Sequence, residues 1–152
     1  MLIASYNPQS TGDTMVLIMN PDVADQQVSI HDDVARIFDE KTNRTLGYNF
    51  LKASEILPEI VTENGQVNLT SEQVQKLNDY LTNHGFPGDV EFDDQPKFVV
   101  GYVESLEDHP NSNHLQIATT DIGRDKKLQI VSGSPNMREN IKVVVALSGA
   151  MM

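Results

Sequence analysis

Apolar residues in this 152-residue chain fall into short β-like runs at both ends, with one helical stripe between them. Met15-Val16-Leu17-Ile18-Met19 is a continuous apolar run suited to a buried strand. Asn20-Pro21-Asp22 after it reads as a turn. Val28-Ser29-Ile30 and residues 34–38 are further strand candidates, and Leu46, Tyr48 and Phe50 alternate with Gly47 and Asn49 as a half-buried strand does. Asn64-Gly65 reads as a tight-turn pair. The spacing then lengthens: Val74, Leu77 and Leu81 make one stripe at helical period. Thr70 with Gln73 three residues on is a capping box, and Gly85 is a stop signal. Together they predict a helix over 71–84.

Short strands return after residue 97, at about 98–106, 115–122, 127–132 and 141–147. Gly101 interrupts the first, a place where a sheet can bend. The second opens with Leu115 and Ile117. Leu128 and Ile130 share a face of the third. Ile141, Val143, Val145 and Leu147 face inward on the fourth, with Lys142 opposite. Pro87-Gly88-Asp89 and the acidic stretch 91–96 separate this region from the first. The pattern predicts a small α+β domain over 1–92, a linker at 93–97 and an all-β domain over 98–152, for which the OB-fold is a natural candidate.

Composition narrows the classes. A hydrophobic fraction of 39% and a mean hydropathy of -0.34 suit a soluble globular protein. No apolar run approaches the ~20 residues of a membrane span, and the first residues lack a basic, then apolar, signal pattern. A cytoplasmic protein without a membrane partner is expected. With no cysteine, disulfides, thiolate ligands and thiol nucleophiles are absent. The net charge of -11 argues against strong nonspecific binding to nucleic acid. That charge is uneven: residues 1–92 hold 14 acids and 5 bases, residues 98–152 hold 6 acids and 5 bases. Any contact with a phosphate backbone is therefore expected from the second region.

Candidate chemistry gathers in the loops of that region. His109, Asn111, Asn113 and His114 offer donors, acceptors and stacking rings to RNA, but proline and asparagine also build turns on their own account. The loop Ser132-Gly133-Ser134-Pro135-Asn136 lacks the Gly-Lys-Ser/Thr ending of a phosphate loop, so a structural turn competes with a contact by Asn136. Arg124, Lys126, Lys127, Arg138 and Lys142 could track phosphates or simply be solvated, with acids among them. His31, His84, His109 and His114 have no metal-ligand register. The serines have no recognisable base, so no catalytic residue, metal or cofactor is expected.

Residues 99–103, His109-Pro110-Asn111, Leu115, residues 129–136 and residues 142–150 resemble the tRNA-binding domain family. This OB-fold module occurs at the N-terminus of the bacterial phenylalanyl-tRNA synthetase β-subunit, on methionyl-tRNA synthetases and in free tRNA-binding proteins of the EMAP-II type. A small domain ahead of the module resembles the layout of the YtpR family. The resemblance implies a five-stranded Greek-key barrel and noncatalytic binding of tRNA or another structured RNA. The family module continues past residue 150, so it also implies a barrel incomplete here, a truncated chain, and a strand edge that favours a homodimer. A protein-interaction or self-association module with faded RNA affinity stays open as the alternative, as does an oligosaccharide or small-molecule binder.

Overall fold

The computed structural model describes residues 1–123 and 125–151. The chain divides into two compact units, Met1–Asp94 and Gln95–Ala150.

The first unit is a six-stranded antiparallel sheet of β1 (Ile3–Tyr6), β2 (Met15–Ile18), β3 (Gln26–His31), β4 (Val34–Asp39), β5 (Thr45–Phe50) and β6 (Gly65–Val67). Their spatial order is β3-β4-β5-β2-β1-β6. Three helices, α1 (Pro8–Thr11), α2 (Ala53–Ile56) and α3 (Ser71–Asn83), and a 3-10 turn at Pro58–Thr62 complete it. The apolar run at 15–19 resolves into two phases: Met15 and Leu17 are buried, while Ile18 is exposed. They pack with Tyr48 and Phe50 of β5 against Leu77 and Leu81 of α3, all fully buried. The cap of α3 is as predicted: the Gln73 N–H donates to Thr70 Oγ1 at 3.2 Å, and the Thr70 N–H to Gln73 Oε1 at 2.9 Å. Such a cap contributes about 0.5–2 kcal/mol. The helix stops at Asn83, because Gly85 at φ +78° turns the chain and Phe86 N–H reaches the Leu81 carbonyl at 2.9 Å.

Two polar networks lock this unit. Arg36, 7% exposed, donates through Nε to Thr45 Oγ1 at 2.9 Å and through its two terminal nitrogens to Asn43. The Thr45 hydroxyl in turn donates a hydrogen bond to Asp89, which also accepts from the Tyr48 hydroxyl at 2.7 Å. Burial, then the Asp89 hydrogen bond, push the Tyr48 phenol far above its usual range. In the second network Asp13 accepts from Tyr6 Oη at 2.9 Å, Ser54 N–H at 2.9 Å and Ser54 Oγ at 2.6 Å. Desolvation would raise the Asp13 carboxyl, but the Ser54 and Tyr6 hydrogen bonds together outweigh it and hold it below the usual range.

The second unit is a four-stranded antiparallel sheet, β7 (Phe98–Asp108), β8 (Gln116–Asp121), β9 (Lys127–Ser132) and β10 (Lys142–Ala146), in the order β10-β7-β8-β9. β7 is long enough to pair with β10 through residues 98–102 and with β8 through residues 102–108. A register shift between Val103 and Ser105 sets Glu104 out as a bulge. The interior face carries Val103, Ala118, Thr120 and Val145. On β8 the buried phase is Ala118 and Thr120, one step out from Ile117. Gly101 answers a need for space rather than for unusual backbone. A Cβ there would lie 2.6 Å from Thr120 Cγ2 and 2.8 Å from Val145 Cγ2, both on stiff β-branched side chains.

The differences from the sequence pattern are instructive. β1 goes unmarked because its four residues include Ala4 and Ser5. Asn64-Gly65 is not a hairpin turn: Gly65, at φ +106°, opens β6, which adds to β1.

Two outcomes test this packing. Gly101→Ala should destabilise the second unit by about 1–3 kcal/mol, as overpacking does, read from its denaturant unfolding. Asp13 binds fewer protons folded than unfolded, so its stabilisation is present above the ordinary carboxyl value of 3.8 and is lost as pH falls through the depressed folded value. Asp13→Asn should lower stability at neutral pH and flatten the acid limb of the stability curve below about pH 4.

Candidate nucleic-acid interface

Antiparallel strands bring the loops of the second unit to opposite ends of its sheet. The β7–β8 loop (109–115) and the start of the β9–β10 loop (133–141) share one end, because Gln116 pairs with Ser132. They touch: a Cβ on Gly133 would lie 3.2 Å from Leu115 Cδ2 and 3.9 Å from His114 Cδ2. The β8–β9 turn (122–126) sits at the other end of β8, about 17 Å away at ~3.4 Å per residue.

The loop end is built by local hydrogen bonds. Asn111 N–H donates to His109 Nδ1 at 3.2 Å, which makes Nδ1 the acceptor and leaves the proton on Nε2. His109 N–H reaches the Leu115 carbonyl at 3.0 Å and closes the loop. Ser112 Oγ accepts from the backbone N–H of His114 at 3.4 Å and of Leu115 at 3.3 Å. His114 Nδ1 lies 3.1 Å from Asn113 Oδ1. Asn111, Asn113, His114 and Asn136 are exposed, and His109 is half-buried. In the second loop the Asn136 N–H meets Ser134 Oγ at 3.4 Å. Part of the polar capacity at this end therefore shapes the loops, and the exposed groups that remain can meet a ligand.

The cations do not form one patch. Lys127 Nζ lies 2.8 Å from the bulged Glu104, whose hydrogen bond and then charge raise the lysine above its usual range. Lys142 pairs in register with Tyr102, Tyr102 with Asp121 and Asp121 with Lys127. These four side chains thus stand in one row across the outer face, alternating in charge about the aromatic ring. Lys126 and Arg138 are exposed, at the turn end and in the β9–β10 loop. Lys126, Arg138 and Lys142 make no ion pair among the described residues. Arg124 lies outside those residues.

The sequence pattern missed an aromatic strip. Phe98 and Tyr102 project from the outer face of β7, 46% and 41% exposed, with Val100 and Val144 between and beside them. The Tyr102 hydroxyl donates to Asn140 Oδ1 at 2.7 Å, which holds the ring in place. The signal was available in the alternation of Phe98, Val100 and Tyr102 against the inward Val99, Gly101 and Val103. Among the described residues there is no group of three or more His, Asp or Glu able to hold a metal ion. No helix among them is long and apolar enough to cross a membrane.

Residues 98–152 match the family model described as "Putative tRNA binding domain", and residues 21–93 match a "Domain of unknown function (DUF4479)". The chain is 42% identical over 151 residues to the "Putative tRNA-binding protein YtpR" of Bacillus subtilis, covering 98% of this chain and 73% of that protein. It is also 52% identical over 54 residues to a phenylalanine–tRNA ligase beta subunit of Porphyromonas gingivalis, and 38% identical over 84 residues to one of Staphylococcus epidermidis. These stretches cover 36% and 53% of this chain, but 7% and 10% of the two subunits. Identity of 42% along nearly all of this chain and 73% of the Bacillus protein settles the relationship: the chain belongs to the YtpR family.

Proposed function

We propose that the chain binds tRNA, or an RNA of similar structure, without catalysing a reaction on it, and that residues 98–152 make the contact. The match of this segment to the tRNA-binding family carries the reading. The four-stranded order β10-β7-β8-β9 is compatible with four strands of an OB-fold. In this reading Lys126, Arg138 and Lys142, with Arg124, meet phosphates, while Lys127 contributes less because Glu104 already neutralises it. Phe98 and Tyr102 offer ring faces to unstacked bases. His109 Nε2, His114, Asn111, Asn113 and Asn136 offer hydrogen bonds to base edges and riboses at the loop end. A protein with these duties works where tRNA is, in the cytoplasm.

The charge balance predicts the kind of binding. A region with 6 acids and 5 bases cannot hold RNA by charge alone. Recognition then rests on shape and stacking, with a small salt-dependent part from the few unpaired cations.

Filter binding of bulk tRNA at about 50 and 150 mM salt tests this. Retention should weaken modestly as salt rises, and the combined variant Lys126→Ala, Arg138→Ala, Lys142→Ala should weaken it further and flatten the salt dependence. Glu104→Gln should act in the opposite direction, tightening binding and steepening the salt dependence by about one phosphate contact, because it releases Lys127. Absence of retention at low salt would overturn the proposal, and retention indifferent to all four substitutions would remove the assigned cations from it.

A further inference from the structure

The six-stranded sheet of the first unit has two unequal edges. One is β6, only three residues long, which offers little backbone to a partner. The other is β3, six residues reading Gln26-Gln27-Val28-Ser29-Ile30-His31. Natural sheets guard such an edge with lysine, proline, a bulge or an inward charge. β3 has none of these, and its register with β4 is unbroken from Gln26 to His31. Val28 and Ile30 are 57% and 64% exposed. They lie on the face turned away from α3, in continuity with Ile37 of β4 and Ile18 of β2. A strand with no acid, lysine or arginine, and with two exposed apolar side chains, stands out in a region with 14 acids and 5 bases.

We infer that β3 is a self-association edge, on which a second copy of this chain pairs antiparallel about Ser29. The strand is complementary to itself in that register: Val28 meets Ile30 of the second copy, Gln27 meets His31, and Ser29 meets Ser29. The backbone fits as well. β3 and β4 are joined by the two-residue turn Asp32-Asp33, so His31 and Val34 form the closing hydrogen-bonded pair. Alternation then turns the N–H and C=O of Val28 and Ile30 to the open edge, where two such residues exchange both bonds. Charge permits the approach. The register sets Asp25 against Asp33 of the second copy, and each is already paired with a lysine, Asp25 with Lys41 and Asp33 with Lys52 at 2.9 Å. A two-fold axis closes the pairing at two copies, because each has one such edge.

Sedimentation equilibrium of the full chain across micromolar concentrations tests the inference. The expected result is a reversible dimer. Val28→Lys places a cation against Ile30 of the second copy, and Ile30→Pro removes an outward N–H that the β3–β4 hairpin does not use. Each should weaken the dimer about tenfold or more, with circular dichroism unchanged. A chain that stays monomeric at every concentration would overturn the inference, as would a dimer that neither substitution weakens. The latter would place self-association elsewhere, for example on β9 or β10. The tRNA reading is independent of either result.

Discussion

Everything in the second unit depends on one strand serving two partners. β7 runs eleven residues and gives its first half to β10 and its second to β8. The two pairings meet at Tyr102, and the close packing of the inward face falls on its neighbour Gly101. Methyl groups of Thr120 and Val145 occupy the space a side chain there would need. The bulge at Glu104 follows three residues later and shifts the register. Without the shared strand, the row Lys142, Tyr102, Asp121, Lys127 would not exist, because each member reaches the next only through β7 or β8.

That constraint explains what the sequence revealed and what it hid. The four strands of this unit were legible within a residue or two because their alternation is strong: Val143 and Val145 face in while Lys142 and Val144 face out. The α3 cap was legible because Thr70 and Gln73 act on each other over three residues. β1 and β6 were not, since strands of four and three residues carry too little pattern and exist by pairing with each other and with β2. Gly101 reads as a place to bend, but the residues that deny it a side chain lie 19 and 44 positions away and are invisible to local pattern. The same holds for the site. His109, Asn113 and His114 announce themselves as polar loop residues, but only the fold brings their loop against Gly133 and moves Lys126 to the far end of the sheet. The neutralisation of Lys127 by Glu104 depends on a bulge that composition does not encode.

Charge and fold act together in the two units. Most of the net charge of -11 belongs to the first region, where acids are used structurally. Asp13 ties Tyr6 to Ser54, and Asp89 ties Tyr48 and Thr45 to the chain that follows α3. Such carboxylates are fixed charges that a polyanion must approach. At physiological salt the field falls off over about 8 Å, so a distant repulsion does not forbid a contact made by shape. It does remove the long-range attraction that lets a basic protein gather on any nucleic acid.

A binding module that lacks that attraction selects its ligand by close contact alone. Stacking on Phe98 or Tyr102 requires an accessible base, and hydrogen bonds from His109 Nε2 or Asn113 require an edge turned outward. Regular duplex RNA offers neither in its deep groove, whereas a folded RNA with loops and exposed stacks offers both. On the proposed reading, a near-neutral module favours RNA that is folded rather than merely charged. Self-pairing at β3 would add to it in the same sense. Two modules on one assembly raise the effective concentration of the second once the first is engaged, a gain available only to a ligand able to reach both.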